Sequence, residues 1–298
     1  MGRLACAFFT WSIQTETSSA ASRPQTRTRR LSAPSFLSPW LQRWGLIPDG
    51  VLIETHSSRL LPVIYRGVPA MLKVALIPEE ARGSRQLAWW AGGGAARVLE
   101  IDGDAVLLER ALGAKSLVDM AQTGLDREAT SIIVAVAAML HRPNPAPPPE
   151  LVSLQEWFES LFAAAISSGG EFRVAAAMAE RLLVSTPEAV PLHGDLHHWN
   201  VLDFGGHWRA IDPKGLVGDR AFDMVHLLRN PDCQTALVPG RLRSRVEQVA
   251  REARVDRVRL LKWSVAFAGL SAAWATEDGE SPEADLAMLS AAGAILRE

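Results

Sequence analysis

The sequence predicts an α+β protein with a small strand-rich lobe followed by a larger helical lobe. Two patterns and one magnitude carry that reading. Residues 51–109 hold five short apolar runs around one helical insert, separated by Gly, Pro and Asp turns, as strands do. Residues 125–296 mostly return apolar side chains at three- and four-residue spacing, the helical period. The 298 residues, 48% hydrophobic and 21% charged, suffice for two lobes around a sizeable core.

The elements follow in order. Residues 1–35 join a short apolar run at 4–9 to a Ser-, Thr- and Arg-rich stretch, with too little apolar length for a secretory core. They read as a disordered tail or as residues upstream of the true start. The basic cluster Arg23, Arg27, Arg29 and Arg30 reads as solvated. Residues 39–44 form a short amphipathic helix ending at Gly45. Strands are expected at 51–55, 60–65 and 70–77, the last two joined by a hairpin at Arg66-Gly67-Val68-Pro69. Pro78-Glu79-Glu80 opens a helix, with proline and acids where a first turn favours them, and Gly92-Gly93-Gly94 stops it after Trp90. Strands at 96–101 and 105–109 share the turn Asp102-Gly103. A helix over 125–140 ends at His141-Arg142-Pro143. The Pro-rich segment 143–149 is a surface loop, because a helix resumes at Ser153. Further helices are expected at 172–183, 222–228, 241–254, 258–274 and 284–296. The lobes divide as 36–109 and 110–298, with a joint at 109–113 where a ligand cleft is the default expectation.

Composition narrows the partners. A formal net charge of -2 gives no electrostatic reason to expect nucleic acid. No run of apolar residues reaches membrane-spanning length. Two cysteines, Cys6 and Cys233, make no disulfide framework and suit a reducing, cytoplasmic setting. Only four of the 31 basic residues are lysine: Lys73, Lys115, Lys214 and Lys262. A lysine used so sparingly in an apolar setting invites a reason.

The chemistry concentrates in His-Gly-Asp-Leu-His-His-Trp-Asn at 193–200, followed by an apolar hairpin and then Asp212. Asp195 and Asn200 are five apart. Phosphoryl transfer needs a carboxylate to take the proton of the attacking hydroxyl, and hard oxygen donors to hold Mg²⁺ against the phosphates. Protein kinases space their base Asp and metal Asn this way, with a metal-binding Asp after a hairpin. Here Asp212 is followed by Pro-Lys, not Phe-Gly, which argues for a small-molecule kinase. Each residue alone has a plainer explanation. Lys73 could point to water from a half-exposed strand, Glu80 could serve the helix macrodipole, and Asp195 or Asn200 could close a turn. The set together favours chemistry. A metal-hydrolase reading of His193, His197, His198, Asp195 and Asp212 leaves Lys73 and the strand-rich lobe unused.

These stretches, with Ile-Asp-Pro-Lys-Gly-Leu-Val-Gly at 211–218, resemble the aminoglycoside phosphotransferase family. The Trp-rich stretch 87–99, Leu-Leu-Glu-Arg at 107–110 and Leu-Ser-Ala-Ala-Trp at 270–274 resemble its streptomycin 6-kinase and hydroxyurea kinase branch. The resemblance spans about residues 36–298. It implies a protein-kinase-like bilobal fold, with a small antiparallel sheet and one helix before a larger helical lobe. It implies ATP and Mg²⁺, with Asp195 as base, Asn200 and Asp212 as metal ligands, Lys73 on the nucleotide phosphates and Glu80 paired to it. Glu109 and Ala111 would meet the adenine at the hinge, and Ser57 and Ser58 would lie in the loop over the phosphates. That loop contains no glycine here. The implied activity is a streptomycin 6-phosphotransferase conferring antibiotic resistance, cytoplasmic, monomeric or weakly dimeric. Kinases for an endogenous sugar, amino alcohol or hydroxyurea-like compound, or a non-catalytic nucleotide-binding module, are the alternatives. Guanidinium groups on streptomycin require acids, for which Asp232, Glu277 and Asp278 are the candidates. His197 and His198 would support the catalytic loop, and Asp223 would brace the loop after Gly218.

Overall fold

The computed structural model describes residues 35–298, so the tail read over 1–35 lies outside the described residues apart from Ser35. After a 3-10 turn at Ser35–Leu37 come α1 (Ser38–Arg43), β1 (Ile47–Pro48), β2 (Ile53–Glu54), β3 (Ser58–Tyr65), β4 (Val68–Ala75), α2 (Pro78–Trp90), β5 (Val98–Asp102) and β6 (Ala105–Glu109). The strands form one antiparallel sheet in the order β1-β3-β4-β6-β5, with β2 also paired to β3. The strand expected at 51–55 is only two residues long. Thr55 ends it by accepting the Ser58 N–H on its hydroxyl at 2.9 Å, which turns the chain. The β3–β4 hairpin turns on Arg66 and Gly67 alone, at φ 50° and 83°, a primed-type turn whose twist suits the strands. Val68 and Pro69, expected in the turn, belong to β4.

Strand β4 lies between β3 and β6 and is buried on both faces along most of its length. Ala70, Leu72 and Val74 face a core shared with Leu37, Leu61 and Val63. Met71 faces the opposite way, into a core with Leu87 and Trp90 of α2. The two-residue period puts Lys73 in the row of Met71. The pleat therefore sends its ammonium towards α2 and the second lobe, not to water, and Lys73 is 7% exposed.

The second lobe contains α3 (Leu117–Gln122), α4 (Asp126–Leu140), β7 (Val152–Ser153), α5 (Leu154–Trp157), α6 (Glu159–Ser167), α7 (Gly170–Val184), β8 (Ala189–Leu192), β9 (Val201–Asp203), β10 (Trp208–Ala210), β11 (Leu216–Asp219), α8 (Asp223–Arg229), α9 (Cys233–Ala236), α10 (Arg241–Ala253), α11 (Arg257–Glu277) and α12 (Glu283–Leu296). Helix α11 is buried nearly all round because α6, α7, α8, α10 and α12 pack on it. Asp256 caps it by accepting the Arg259 N–H at 2.6 Å. The Pro-rich loop is tied to α2: Trp89 Nε1 donates to the Ala146 carbonyl, and Asn144 Nδ2 to the Trp89 carbonyl, both at 2.9 Å. Among the described residues no helix is long and apolar enough to cross a membrane.

Short strands position the motif-rich stretch. β8 enters it and β11 leaves it, and the two pair antiparallel with Leu192 opposite Leu216. β7 adds to the free side of β11 in parallel. Residues 193–215 are thus closed at their base, and the β9–β10 hairpin is nested inside them. The segment 213–215 then meets the side of α2. A Cβ on Gly83 would lie 2.1 Å from the Pro213 carbonyl oxygen.

Alanine at 83 would gain about 1 kcal/mol of helix propensity. It would also overpack one backbone against another, a cost of about 1–3 kcal/mol at a site with no flexible neighbour to yield. Gly83→Ala is therefore expected to lower stability in urea unfolding. Unchanged or raised stability would show that the two segments are not held this closely.

Candidate active site

Two loops and one strand converge at the rim between the lobes. The first loop, 193–200, leaves β8. The second, 211–215, leaves β10. Backbone bonds hold them side by side: Ile211 N–H to the Asn200 carbonyl at 2.9 Å, and Lys214 N–H to the His193 carbonyl at 2.8 Å. The hairpin between them brings Asn200 and Asp212 together, although twelve positions separate them in sequence. Asp212 itself has φ 62°, a left-handed conformation that aspartate tolerates better than most residues.

Asp195 is the hub of the first loop. Its carboxylate receives Asn200 Nδ2 at 3.1 Å and lies 3.1 Å from His197 Nε2 and 3.2 Å from His226 Nδ1. Burial would raise its pKa, but His197, His226 and Lys214 outweigh burial and hold it well below the ordinary carboxylate range. The histidine tautomers follow from the bonding. The Trp199 N–H donates to His197 Nδ1 at 3.2 Å, so His197 Nε2 carries the proton that Asp195 accepts. His193 repeats the device: its Nδ1 accepts the Asp195 N–H at 3.2 Å and its Nε2 donates to the Ile211 carbonyl at 2.8 Å. Burial lowers the His193 pKa to about 4, so the ring is neutral.

Asp223 braces the start of this loop, not the segment after Gly218. It is fully buried and accepts the Gly194 N–H at 2.7 Å, the His193 N–H at 3.0 Å and His141 Nε2 at 2.7 Å. The bracing expected of it after Gly218 belongs to Asp219, which accepts the Ala221 N–H at 3.0 Å and Trp263 Nε1 at 2.6 Å and pairs with Arg259.

Lys73 is ion-paired with both Glu80 and Asp212. Burial opposes its charge, but the two carboxylates more than compensate and raise its pKa. Burial would likewise raise the Asp212 pKa, yet Lys73 and Lys214 hold it far below the usual range. Ser57 donates its hydroxyl to Glu80 at 2.7 Å. The structure thus gathers Asp195, Asn200, Asp212, Lys73, Glu80 and Ser57. Asn200 spends Nδ2 on Asp195, which leaves Oδ1 without a bond among the described residues. That amide oxygen and the ionised Asp212 are hard donors suited to Mg²⁺. Lys73 pairs with Glu80 and Asp212, and Lys214 with Asp212 and Glu79. No group of three or more His, Cys, Asp or Glu among the described residues is arranged to hold a metal alone.

Other expected residues stand elsewhere or are already engaged. Ser58 is buried and spends its N–H and hydroxyl on Thr55, so it offers neither to the cleft. Glu109 ties β6 to Arg97 through both backbone and carboxylate, and its carboxylate also meets Arg209 at 3.3 Å. Ala111 is in the segment crossing between lobes, just before Gly113 donates its N–H to the Asp203 carbonyl at 2.9 Å. Asp232 caps α9, accepting Thr235 N–H at 2.7 Å and Oγ1 at 2.8 Å. Glu277 accepts from Ser160 at 3.2 Å, and Asp278 follows at the end of α11. They lie ten and eleven residues beyond Phe267, whose ring packs tilted against His226, or roughly 15 Å along the helix. The sequence reading missed His226 and Lys214. His226 is three residues after Asp223, the spacing that puts both on one helix face.

The cleft gathers the residue types that phosphoryl transfer uses. Its family is narrower. The family model described as aminoglycoside/hydroxyurea antibiotic resistance kinase matches residues 43–279, and the chain belongs to that family. It is 47% identical over 263 residues to a streptomycin 3''-kinase of Klebsiella pneumoniae, covering 86% of this chain and 98% of that one. It is 31% identical over 263 residues to a streptomycin 6-kinase of Streptomyces griseus, covering 83% and 84%. Aminoglycoside phosphotransferase APH(4)-Ia, solved with ADP and hygromycin B, shares the fold at a TM-score of 0.59 and 17% identity, over 89% of this chain and 98% of that one.

The neutral histidines set a stability profile. The folded His193 pKa of about 4 lies below its ordinary 6.5, so the unfolded chain binds the proton first as pH falls. Stability is complete above pH 6.5 and is lost as pH falls towards 4, by about 3 kcal/mol from this residue. His198 and His226, also depressed, act in the same direction. Urea unfolding across this range should show the decline. A flat profile would mean that these rings are not held neutral.

Proposed function

We propose that the chain is an ATP- and Mg²⁺-dependent phosphotransferase that phosphorylates a streptomycin hydroxyl and so confers resistance. One observation carries the reading: an ionised, hydrogen-bonded Asp195 stands beside Asn200 and Asp212, opposite a lysine already paired to Glu80. Asp195 takes the proton of the acceptor hydroxyl as oxygen attacks the γ-phosphorus. His197, His226 and Asn200 fix the direction of its carboxylate. Asn200 and Asp212 would hold Mg²⁺, which would supply neutralisation of the phosphate charge. Lys73 turns from Asp212 to the phosphates while Glu80 retains it. The crossing segment around Ala111 meets the adenine. The enzyme works in the cytoplasm, where ATP is available.

The hydroxyl is the 3''-hydroxyl. Identity of 47% to a 3''-kinase, against 31% to a 6-kinase, supports that position over the 6-hydroxyl first expected. The 6-hydroxyl is the second reading, because the chain is also 31% identical to a 6-kinase over 263 residues. Incubation with labelled ATP and streptomycin, with the phosphate located by NMR, separates them. Phosphate on neither position would remove streptomycin and turn attention to sugars, amino alcohols and hydroxyurea-like compounds. Asp195→Asn should lower kcat by about a hundredfold to ten-thousandfold while nucleotide still binds. Near-normal turnover would take the base role from Asp195.

A further inference from the structure

Lys214 is a second, half-buried cation in the cleft, and the steps above do not use it. Its backbone is fixed from both sides. Its N–H donates to the His193 carbonyl at 2.8 Å, and its carbonyl accepts Arg82 Nε of α2 at 3.2 Å. The side chain is held in the cleft at 17% exposure. Its Nζ lies 3.6 Å from Asp212 Oδ2 and 3.6 Å from Glu79 Oε1. Both separations are ion-pair distances, longer than a hydrogen bond. The ammonium has three donors, and none makes a hydrogen bond among the described residues. Lys73 differs, because its ammonium is bonded directly to Asp212 and paired closely with Glu80. Burial opposes the Lys214 charge, but Asp212, Asp195, Glu79 and Glu80 hold it protonated well above the ordinary range.

The position completes the argument. The Lys214 ammonium lies 3.6 Å from Asp212, the expected metal ligand, and its backbone bonds to His193, two residues before Asp195, the expected base. In a kinase the transferred phosphoryl group must sit between those two. We propose that Lys214 contacts the γ-phosphoryl group, dividing the nucleotide between two lysines, with Lys73 serving the inner phosphates. This rests on the phosphotransferase reading above. As the acceptor oxygen bonds to the γ-phosphorus, the bond from phosphorus to the β–γ bridging oxygen breaks. ADP leaves with that oxygen, the acceptor proton passes to Asp195, and Lys214 donates N–H to the phosphoryl oxygens throughout. The rival role is a clamp between the lobes through Glu79. A partly exposed pair at 3.6 Å supplies little of that.

Calorimetric titration of the full chain with ADP and with AMP-PNP, both with Mg²⁺, distinguishes the roles. Lys214→Met should weaken AMP-PNP by about tenfold and leave ADP within about twofold. Glu79→Gln should change neither beyond about twofold. If Lys214→Met does not fold, Lys214→Gln supplies the same ratio. Equal loss of both nucleotides, loss of neither, or a Glu79→Gln variant that reproduces the defect would overturn the assignment. A wild-type chain that binds neither nucleotide would overturn the kinase reading and Lys214 with it. Binding of both by wild type, with Lys214→Met still preferring AMP-PNP as wild type does, would overturn the Lys214 role alone.

Discussion

The Asp212 carboxylate is shared between two ammonium groups, and the geometry of the cleft depends on that contact. Lys73 reaches it from the sheet, and Lys214 from its own loop. Glu80 holds Lys73 from behind. This joins strand β4, helix α2 and the 211–215 loop at one point between the lobes. Buried ion pairs are weak sources of stability, since desolvation offsets most of the attraction, while removal of one partner costs about 3–5 kcal/mol. So costly an arrangement is better explained by chemistry than by folding. The positive φ at Asp212 and the close approach of Pro213 to Gly83 belong to the same constraint.

The second layer is made by imidazoles used as rigid spacers. His193 and His197 each accept a backbone N–H two residues on, and each then has one directed N–H to donate. His193 spends it on the neighbouring loop, and His197 on Asp195. His226 approaches Asp195 from α8 with its ring packed on Phe267. Asp223, on the same face of α8, holds the first peptides of the loop. One short helix thereby sets both the start of the loop and the direction of its central carboxylate.

Local signals were legible in the sequence and tertiary ones were not. Helix α2 begins at Pro78 and ends at Trp90 as its proline, acids and glycines indicate. Lys73 was singled out because it interrupts an apolar run, and the sheet pleat explains why it turns inward. Asp195, Asn200 and Asp212 stand out in the sequence because their spacing is itself the signal, and the two loops bring them together. β7, β8 and β11 left almost no signature: they are two to four residues long and carry Pro191 or Gly218 where alternation would show. The short helices α3 and α9 were missed for the same lack of length. Ser57 and Ser58 were assigned by loop position, whereas Glu80 and Thr55 take their hydrogen bonds. Glu277 and Asp278 were grouped by charge, and the length of α11 carries them away from Asp195. Lys214 is as rare a lysine as Lys73 and adjoins Asp212, so the same argument from scarcity would have reached it.

The central claim is that an amide oxygen and a carboxylate from two adjoining loops hold the metal that accompanies the nucleotide. A crystal of the chain grown with AMP-PNP and Mn²⁺ tests it directly through anomalous scattering. The account predicts a peak within ligand distance of Asn200 Oδ1 and Asp212, with Lys73 moved from Asp212 to the phosphates. A peak among His193, His197 and His198, or bound nucleotide with no metal at Asn200 and Asp212, would contradict it.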